Sequence, residues 1–330
     1  MNMKELVADF PKQLQKALLI AKSTKLKKSN QPINNVFISG LGGSGIGGSI
    51  VSELVGEEAN CPIIINKDYS APAFINQNTL AIICSYSGNT EETIQVLKNC
   101  IEAKAQITII TSGGEAARLA EQHGLDYILL PAGFPPRSCI GYSICQILKV
   151  LQFHEITTSN HLAEVENTIA LLENESKNII AEAQIVAESI ASKLPIIYTL
   201  GNTEGVAIRF RQQLNENGKM LCWHHVLPEM NHNELVAWTE KNENLAVIVF
   251  RYENDYYRTI TRLEVCKEVF AKYCDTIIEI NAKGSSPVQR ALYMIHIGDW
   301  ISCLIADIKK VDAVDISIIN HLKSELSKMK

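Results

Sequence analysis

The sequence predicts an α/β protein of two subdomains, each a mainly parallel sheet flanked by helices in an αβα sandwich. Three observations predict it. Short apolar runs alternate with helical stretches, as strands and crossover helices do. The runs are apolar on both faces, as in parallel strands covered on each side. The alternation also occurs twice along the 330 residues, on either side of a long stretch with few helix breakers. A chain of that length is expected to form one large or two medium domains.

The elements follow in order. A helical N-terminal segment covers about residues 3–28, and the first strands are read at Asn35–Ser39, Pro62–Asn66, Leu80–Cys84, Gln106–Thr111 and Tyr127–Leu130. Helical periodicity over Gly141–Phe153 closes a first subdomain, 1–153. His161–Ser192 reads as one long helix inside a connector, 154–192. The second subdomain, 193–330, has strands at Pro195–Leu200, Asn244–Phe250 and Cys274–Ile280 and a helix-rich tail from Ser286. The halves match in order. Val36–Gly40, a Gly-rich turn and a helix correspond to Ile196–Gly205 and its helix. Leu80–Cys84, with a loop of hydroxyls, stands where Leu245–Phe250 is followed by Arg251-Tyr252-Glu253-Asn254. The second copy has lost the hydroxyls.

Composition narrows the class of function. The chain is 46% hydrophobic and 20% charged, which suits a soluble protein with a sizeable core. A net charge of −5 without a basic stripe argues against nucleic acid as a partner. The N-terminus has no apolar signal-like region, and no later stretch is expected to be long enough to cross a membrane. Nine cysteines with no C-x-x-C pair read as reduced, mostly buried thiols of a cytoplasmic protein.

Chemistry concentrates in a few segments. Ser85-Tyr86-Ser87-Gly88-Asn89-Thr90-Glu91-Glu92-Thr93 links a strand to a helix and carries four hydroxyls, Ser85, Ser87, Thr90 and Thr93. Helix N-terminal amides and the helix dipole favour an anion there. Hydroxyls add donors without charge, which suits a phosphate monoester that must later leave. A capping box of Asn89 with Glu92 would explain those two residues but not Ser85 and Ser87. The earlier run Gly40-Leu41-Gly42-Gly43-Ser44-Gly45 satisfies G-x-G-x-x-G, with Asp68 near the expected ribose-binding acid. That makes a nicotinamide dinucleotide the competing ligand, and tight strand-to-helix packing the bland reading. A single phosphate would use both loops, whereas a dinucleotide gives no reason for the second.

Three further segments carry candidates. Pro131–Ser138 fixes its backbone with three prolines and presents Arg137, either as an oxyanion stabiliser or as a surface arginine. Glu216 falls in the last turn of a helix expected to end at Gly218 in the C′ position. The dipole's negative end disfavours an ionised carboxylate there, a property useful in a general base; the alternative is a solvated glutamate beside Lys219. Trp223–Glu234 holds His224, His225 and His232, but in no zinc-ligand spacing. His232, among asparagines and acids that could fix its tautomer, suits proton transfer, while His224 and His225 read as structural.

Gly42-Gly43-Ser44-Gly45, Ser85–Thr93, Pro136-Arg137, Asn215-Glu216-Asn217 and Pro228-Glu229-Met230-Asn231-His232-Asn233 occur in that order. Together they resemble the bifunctional phosphoglucose/phosphomannose isomerases, a branch of the sugar isomerase (SIS) domain superfamily, from about residue 35 to the C-terminus. The resemblance implies two SIS-type subdomains and an aldose–ketose isomerase using neither metal nor cofactor. It implies that Gly43, Ser44, Ser85, Ser87 and Thr90 hold the sugar phosphate. Glu216 would be the base between C2 and C1, and Arg137 would stabilise the enediolate. His232 would assist ring opening from the neighbouring subunit of a homodimer. Lys323, in the pair Leu322-Lys323, would polarise a sugar oxygen, with Lys309, Lys310 and Lys328 as competitors. An Asp-Pro usually precedes that helix in the family, and here Asp312-Ala313 stands instead. Two other readings compete: a non-catalytic phosphosugar sensor, and an NAD-dependent oxidoreductase resting on Gly40–Gly45 and Asp68.

Overall fold

Pro11 divides the N-terminal helical segment in the computed structural model, which describes residues 2–28, 31–253 and 255–328. Proline is accommodated in the first turn of a helix and not in its interior, so α1 (Met3–Ala8) gives way at Asp9 to α2 (Phe10–Ser23). The helical segment expected over about 3–28 is thus made of two helices and ends at Ser23.

The first half then runs β1 (Asn35–Ser39), α3 (Gly42–Leu54), β2 (Ile63–Asn66), β3 (Thr79–Ser85), α4 (Glu91–Glu102), β4 (Gln106–Thr111), α5 (Gly114–His123), β5 (Asp126–Leu129) and α6 (Ile140–Phe153). The long helix α7 (His161–Ile190) follows, capped by the Asn160 side chain on the Ala163 amide. The second half runs β6 (Leu194–Leu200), α8 (Glu204–Glu216), β7 (Trp223–Leu227), β8 (Leu245–Arg251), α9 (Tyr257–Tyr273), β9 (Ile277–Asn281), α10 (Pro287–Lys309) and α11 (Ser317–Leu326). Asn254, in the loop set against the hydroxyl loop above, lies outside the described residues.

Both sheets are parallel, and their strand orders repeat: β2-β1-β3-β4-β5 and β7-β6-β8-β9. The matched sequence halves are thus matched in space, β6 standing for β1 and β8 for β3. Strand order reverses between β1 and β3, and the crevice outside such a reversal is where open α/β sheets bind ligands. The Gly-rich and hydroxyl loops flank that crevice.

Two expectations are corrected. β7 was not among the expected strands, because Trp223-His224-His225 lacks an apolar run; pairing with β6 from Ile196↔Trp223 to Leu200↔Leu227 decides it. As an edge strand it needs a partner on one side only. Second, α10 is long and apolar enough, by length and composition, to cross a membrane, although no such stretch was expected. It is a core helix, with 83% of its apolar window buried, packed on α7 and α8 and carrying buried Arg290, His296 and Asp299. All nine cysteines are unpaired, and only Cys61 and Cys222 reach even partial exposure.

The two halves are joined by a carboxylate. Both oxygens of Glu53, near the end of α3, accept from the Gly205 amide at 2.9 Å, in the first turn of α8. Burial pushes Glu53 from 4.5 up to about 7, against the pull of the Gly205 amide. An acid raised in this way binds its proton more tightly folded than unfolded. Its contribution to stability is therefore present below pH 4.5 and is lost as pH rises to about 7. Glu53→Gln keeps an acceptor for Gly205 and removes the titration. It should be more stable than the parent at pH 8 by on the order of 1–2 kcal/mol after solvent screening, seen as a higher melting temperature, and should match the parent at pH 4. Equal melting at both pH values would reject Glu53 as the titrating group.

Candidate active site

β3 ends in fully buried Ser85, and the chain turns from it into α4. Ser85 Oγ donates to Thr90 Oγ1 at 3.1 Å, and the exposed Ser87 accepts from the Asn89 amide at 3.2 Å. The N-cap is Thr90, whose side chain makes no capping bond. The Asn89–Glu92 capping box expected above does not form. Asn89 Oδ1 accepts instead from the Glu115 amide at 2.9 Å, in the first turn of α5. α4 thus starts without a side-chain cap beside Ser85, Ser87 and Thr90, an arrangement open to an anion.

α3 also begins without a side-chain cap, and Ser44, in its first turn, accepts from the Tyr86 amide at 3.0 Å. That bond ties the Gly-rich loop to the hydroxyl loop. Tyr86 Oη in turn donates to the Pro131 carbonyl at 2.7 Å and accepts from the Phe134 amide at 3.1 Å, holding the proline loop. Gly43 completes the contact. A Cβ there would lie 2.8 Å from the Pro136 oxygen and 2.9 Å from the Arg137 nitrogen, so only glycine lets the third loop approach. The Gly-rich run serves this packing, and Asp68 is an exposed residue whose Oδ1 accepts from the next amide, Tyr69, at 2.7 Å.

Arg137 sits in a 3-10 turn, Pro136–Ser138, and is 3% exposed. It is not a surface arginine. Its Nη1 donates to Glu216 Oε2 at 3.3 Å, its Nε to Asn217 Oδ1 at 2.7 Å, and its Nη2 to the Ala313 and Val314 carbonyls at 2.6 and 3.3 Å. Burial lowers its pKa against the opposing charge of Glu216. Glu216 is the last residue of α8, as the periodicity predicts, with its side chain 28% exposed. Cation, carboxylate and hydroxyl loops are thereby contiguous.

The helix end differs from expectation. The left-handed residue after α8 is Lys219 (φ 49°), not Gly218. Gly218 is required for closeness: a Cβ would meet the Leu214 oxygen at 2.9 Å and Ile305 Cγ2 of α10 at 3.1 Å. Lys219 Nζ donates to the Glu216 carbonyl, and to the Asp315 carbonyl at 2.7 Å. Burial, then the charge of Arg137, holds its pKa below the ordinary lysine range. Arg209 and Lys219, on or just after α8, and Asp299, on α10, also gather here without having been singled out as candidates, Asp299 because only packing of α10 on α8 brings it in.

No hydrogen bond or ion pair among the described residues links His232 or Lys323 to Arg137 or Glu216. His232 is exposed, in a 3-10 turn beyond the carboxyl end of β7. α8 runs opposite to the parallel strands it connects, so Glu216 lies toward the amino end of β7. The strand alone separates the two by about 13 Å. The neighbours expected to fix the His232 tautomer bond elsewhere. Asn233 Nδ2 donates to Glu229 Oε1 at 2.8 Å, Asn233 Oδ1 accepts from the Glu234 amide at 2.6 Å, and Asn231 donates to Cys266 Sγ at 2.9 Å. His224 meets Glu204 at 3.3 Å and His225 accepts from the Val226 amide at 2.8 Å, both local contacts. Lys323 lies on exposed α11, which starts two residues after Asp315. Lys309 donates to the Lys219 carbonyl at 2.8 Å, and Lys310 caps α10 in the left-handed conformation.

Comparison with known proteins identifies the family and the fold. A family model described as the bacterial phospho-glucose isomerase C-terminal SIS domain matches residues 179–326. The bifunctional phosphoglucose/phosphomannose isomerase of Caldicellulosiruptor bescii is 32% identical over 337 residues, covering 99% of this chain and 99% of that one. Its namesake from Thermoplasma acidophilum is 34% identical, covering 89% of this chain and 90% of the other. Among solved structures, the C-terminal domain of glucosamine-fructose-6-phosphate aminotransferase from Francisella tularensis has the same fold. It matches with a TM-score of 0.75 at 15% identity, over 94% of this chain and 97% of that one.

Proposed function

The chain belongs to the bifunctional phosphoglucose/phosphomannose isomerases, and on that premise we propose that it converts glucose 6-phosphate and mannose 6-phosphate to fructose 6-phosphate, and back, through a cis-enediol. The observation that carries the proposal is the 3.3 Å pair of Arg137 with Glu216, whose backbone neighbour Gly43 adjoins the hydroxyl loop. An aldose–ketose isomerisation needs an anchor for the phosphate, a carboxylate to move one proton and a cation beside the developing enediolate. It calls for no redox step.

In this reading the α3 and α4 N-termini, with Gly43, Ser44, Ser85, Ser87 and Thr90, hold the phosphate. Glu216 takes the proton from C2 and returns it to C1. Arg137, dry and fixed by four acceptors, stabilises the negative oxygen that forms between the two transfers. A carboxylate serving either C2 epimer accounts for both aldose substrates. Ring opening falls to His232 of a second copy in a homodimer, a reading supported by its exposure in a turn beyond the carboxyl end of β7, whereas Glu216 ends the helix that leads into that strand. Lys323 is the C-terminal lysine of this reading, carried by α11 from the 312–315 segment that already touches Arg137 and Lys219.

Purified protein incubated with each aldose phosphate, EDTA present and no nicotinamide in the first step, should yield fructose 6-phosphate from both. Binding without turnover would leave a phosphosugar sensor, and turnover only with NAD an oxidoreductase. Ser87→Ala combined with Thr90→Ala should raise KM by about a hundredfold or more, the loss of two hydrogen bonds to a charged group, with kcat little changed. An unchanged KM would remove this loop from the phosphate site.

A further inference from the structure

The four acceptors around Arg137 are of unequal kind. Asn217 Oδ1 and the Ala313 and Val314 carbonyls are neutral, and the one carboxylate is Glu216, at 3.3 Å. A second arginine lies one layer deeper and is treated differently. Arg209 is 2% exposed and donates to Asp299 Oδ2 at 2.6 Å, so its charge is matched within the core. Arg209 Nη2 also donates to the main-chain carbonyl of Arg137 at 3.0 Å, and Gln213 donates to the other Asp299 oxygen at 3.0 Å.

The two layers are linked. Ser302 Oγ donates to the Asp299 carbonyl at 2.7 Å, and Asn217 Nδ2 donates to Ser302 Oγ at 3.0 Å. The Ser302 hydroxyl has one proton and has spent it, so it faces Asn217 as an acceptor. The Asn217 amide must then turn its NH2 to Ser302 and its oxygen to Arg137 Nε. Asn217 and Ser302 are both 0% exposed, so no water competes for these bonds.

We propose that Asn217, oriented by Ser302, is a positioning residue that gives Arg137 a neutral acceptor, leaving the guanidinium without a hydrogen-bonded carboxylate whenever Glu216 carries the substrate's proton. The Arg209–Asp299 pair holds the Arg137 main chain while keeping its own charge cancelled. When Glu216 becomes neutral, no carboxylate among the described residues is hydrogen-bonded to Arg137, Asp312 acting on it only at longer range, and the enediolate is the anion in direct reach. A carboxylate at position 217 would supply a permanent rival. The proposal rests on Glu216 and Arg137 acting as base and cation.

The test is Asn217→Asp, with Ser302→Ala and Glu216→Gln measured alongside, each assayed for kcat, KM and melting temperature. Asp at 217 keeps the acceptor for Nε and adds a charge. It should lower kcat by about a hundredfold or more, the size of losing one preorganised charge stabiliser, with KM within about threefold and melting close to the parent. Ser302→Ala frees the Asn217 amide to turn and should lower kcat by about tenfold at constant KM, on the scale of one mispositioned group. A structural role alone would move melting and leave kcat. Should Asn217→Asp fail to fold, Ser302→Ala decides, and an unchanged kcat there overturns the proposal. Active Asn217→Asp with inactive Glu216→Gln also overturns it while sparing the isomerase reading. If Glu216→Gln is active too, the reading beneath it falls instead.

Discussion

Glu216→Gln should lower kcat by about a thousandfold or more and leave sugar-phosphate binding within a small factor. General-base transfer contributes about 10²–10⁴ to rate, and an amide cannot take the proton. The change is otherwise mild. Glutamine has the same shape, and its oxygen can still accept from Arg137 Nη1, while Arg137 keeps Asn217 and two carbonyls. The Ser44 and Ser85–Thr90 contacts lie on other loops and are untouched. Isotope exchange from solvent into C2 of glucose 6-phosphate should vanish together with turnover. Retained turnover would mean that another group, with Lys219 the nearest titratable side chain on the same turn, moves the proton.

Mixing two dead variants should restore activity. Glu216→Gln and His232→Ala, each inactive alone, would exchange subunits on incubation. Half of the resulting dimers would be mixed, each with one site holding both native residues, so activity should rise to about a quarter of the parent's. The expectation comes from topology. α8 delivers Glu216 to one end of the second sheet, and β7 carries the chain about 13 Å away before His232 appears. His232 is exposed and its polar neighbours are bonded to one another, as suits a side chain presented to another molecule. No recovery, with exchange verified by mass spectrometry of tagged subunits, would end the shared-site model.

Much of the fold was readable because parallel strands announce themselves locally. Val36–Ser39, Leu80–Ser85 and Ala246–Phe250 are apolar on both faces, and each was expected within a residue or two of where it lies. β7 was not, since an edge strand of Trp and His has no such run. The Asn89–Glu92 capping box was a correct local motif in the wrong hands: Asn89 found a better donor on α5, which no reading of its own helix could reveal. Gly218 and Gly43 show the same limit. Sequence marks them as glycine, but part of what crowds them is distant: the Ile305 side chain of α10 against Gly218 and the Pro136–Arg137 backbone against Gly43.

The candidate site divides along that line. The hydroxyl loop, the glutamate ending a helix and the rigid arginine turn were legible because each is a short stretch whose residue types suit one chemistry. That Arg137 and Glu216 form a pair, 79 residues apart in the chain, was not legible, nor was the ring of Asn217, Ser302, Asp299 and Arg209 behind them. The sequence by itself determined the parallel α/β halves and marked the loops and side chains proposed as anion-holding and reacting groups. Tertiary structure alone decided which groups meet, which charges are cancelled in the core and which stay open, and that His232 is exposed in a turn beyond β7. The physical reason is range. Backbone periodicity and helix ends are set by neighbours within a few residues, whereas buried charges are set by whatever distant helix supplies the next hydrogen bond.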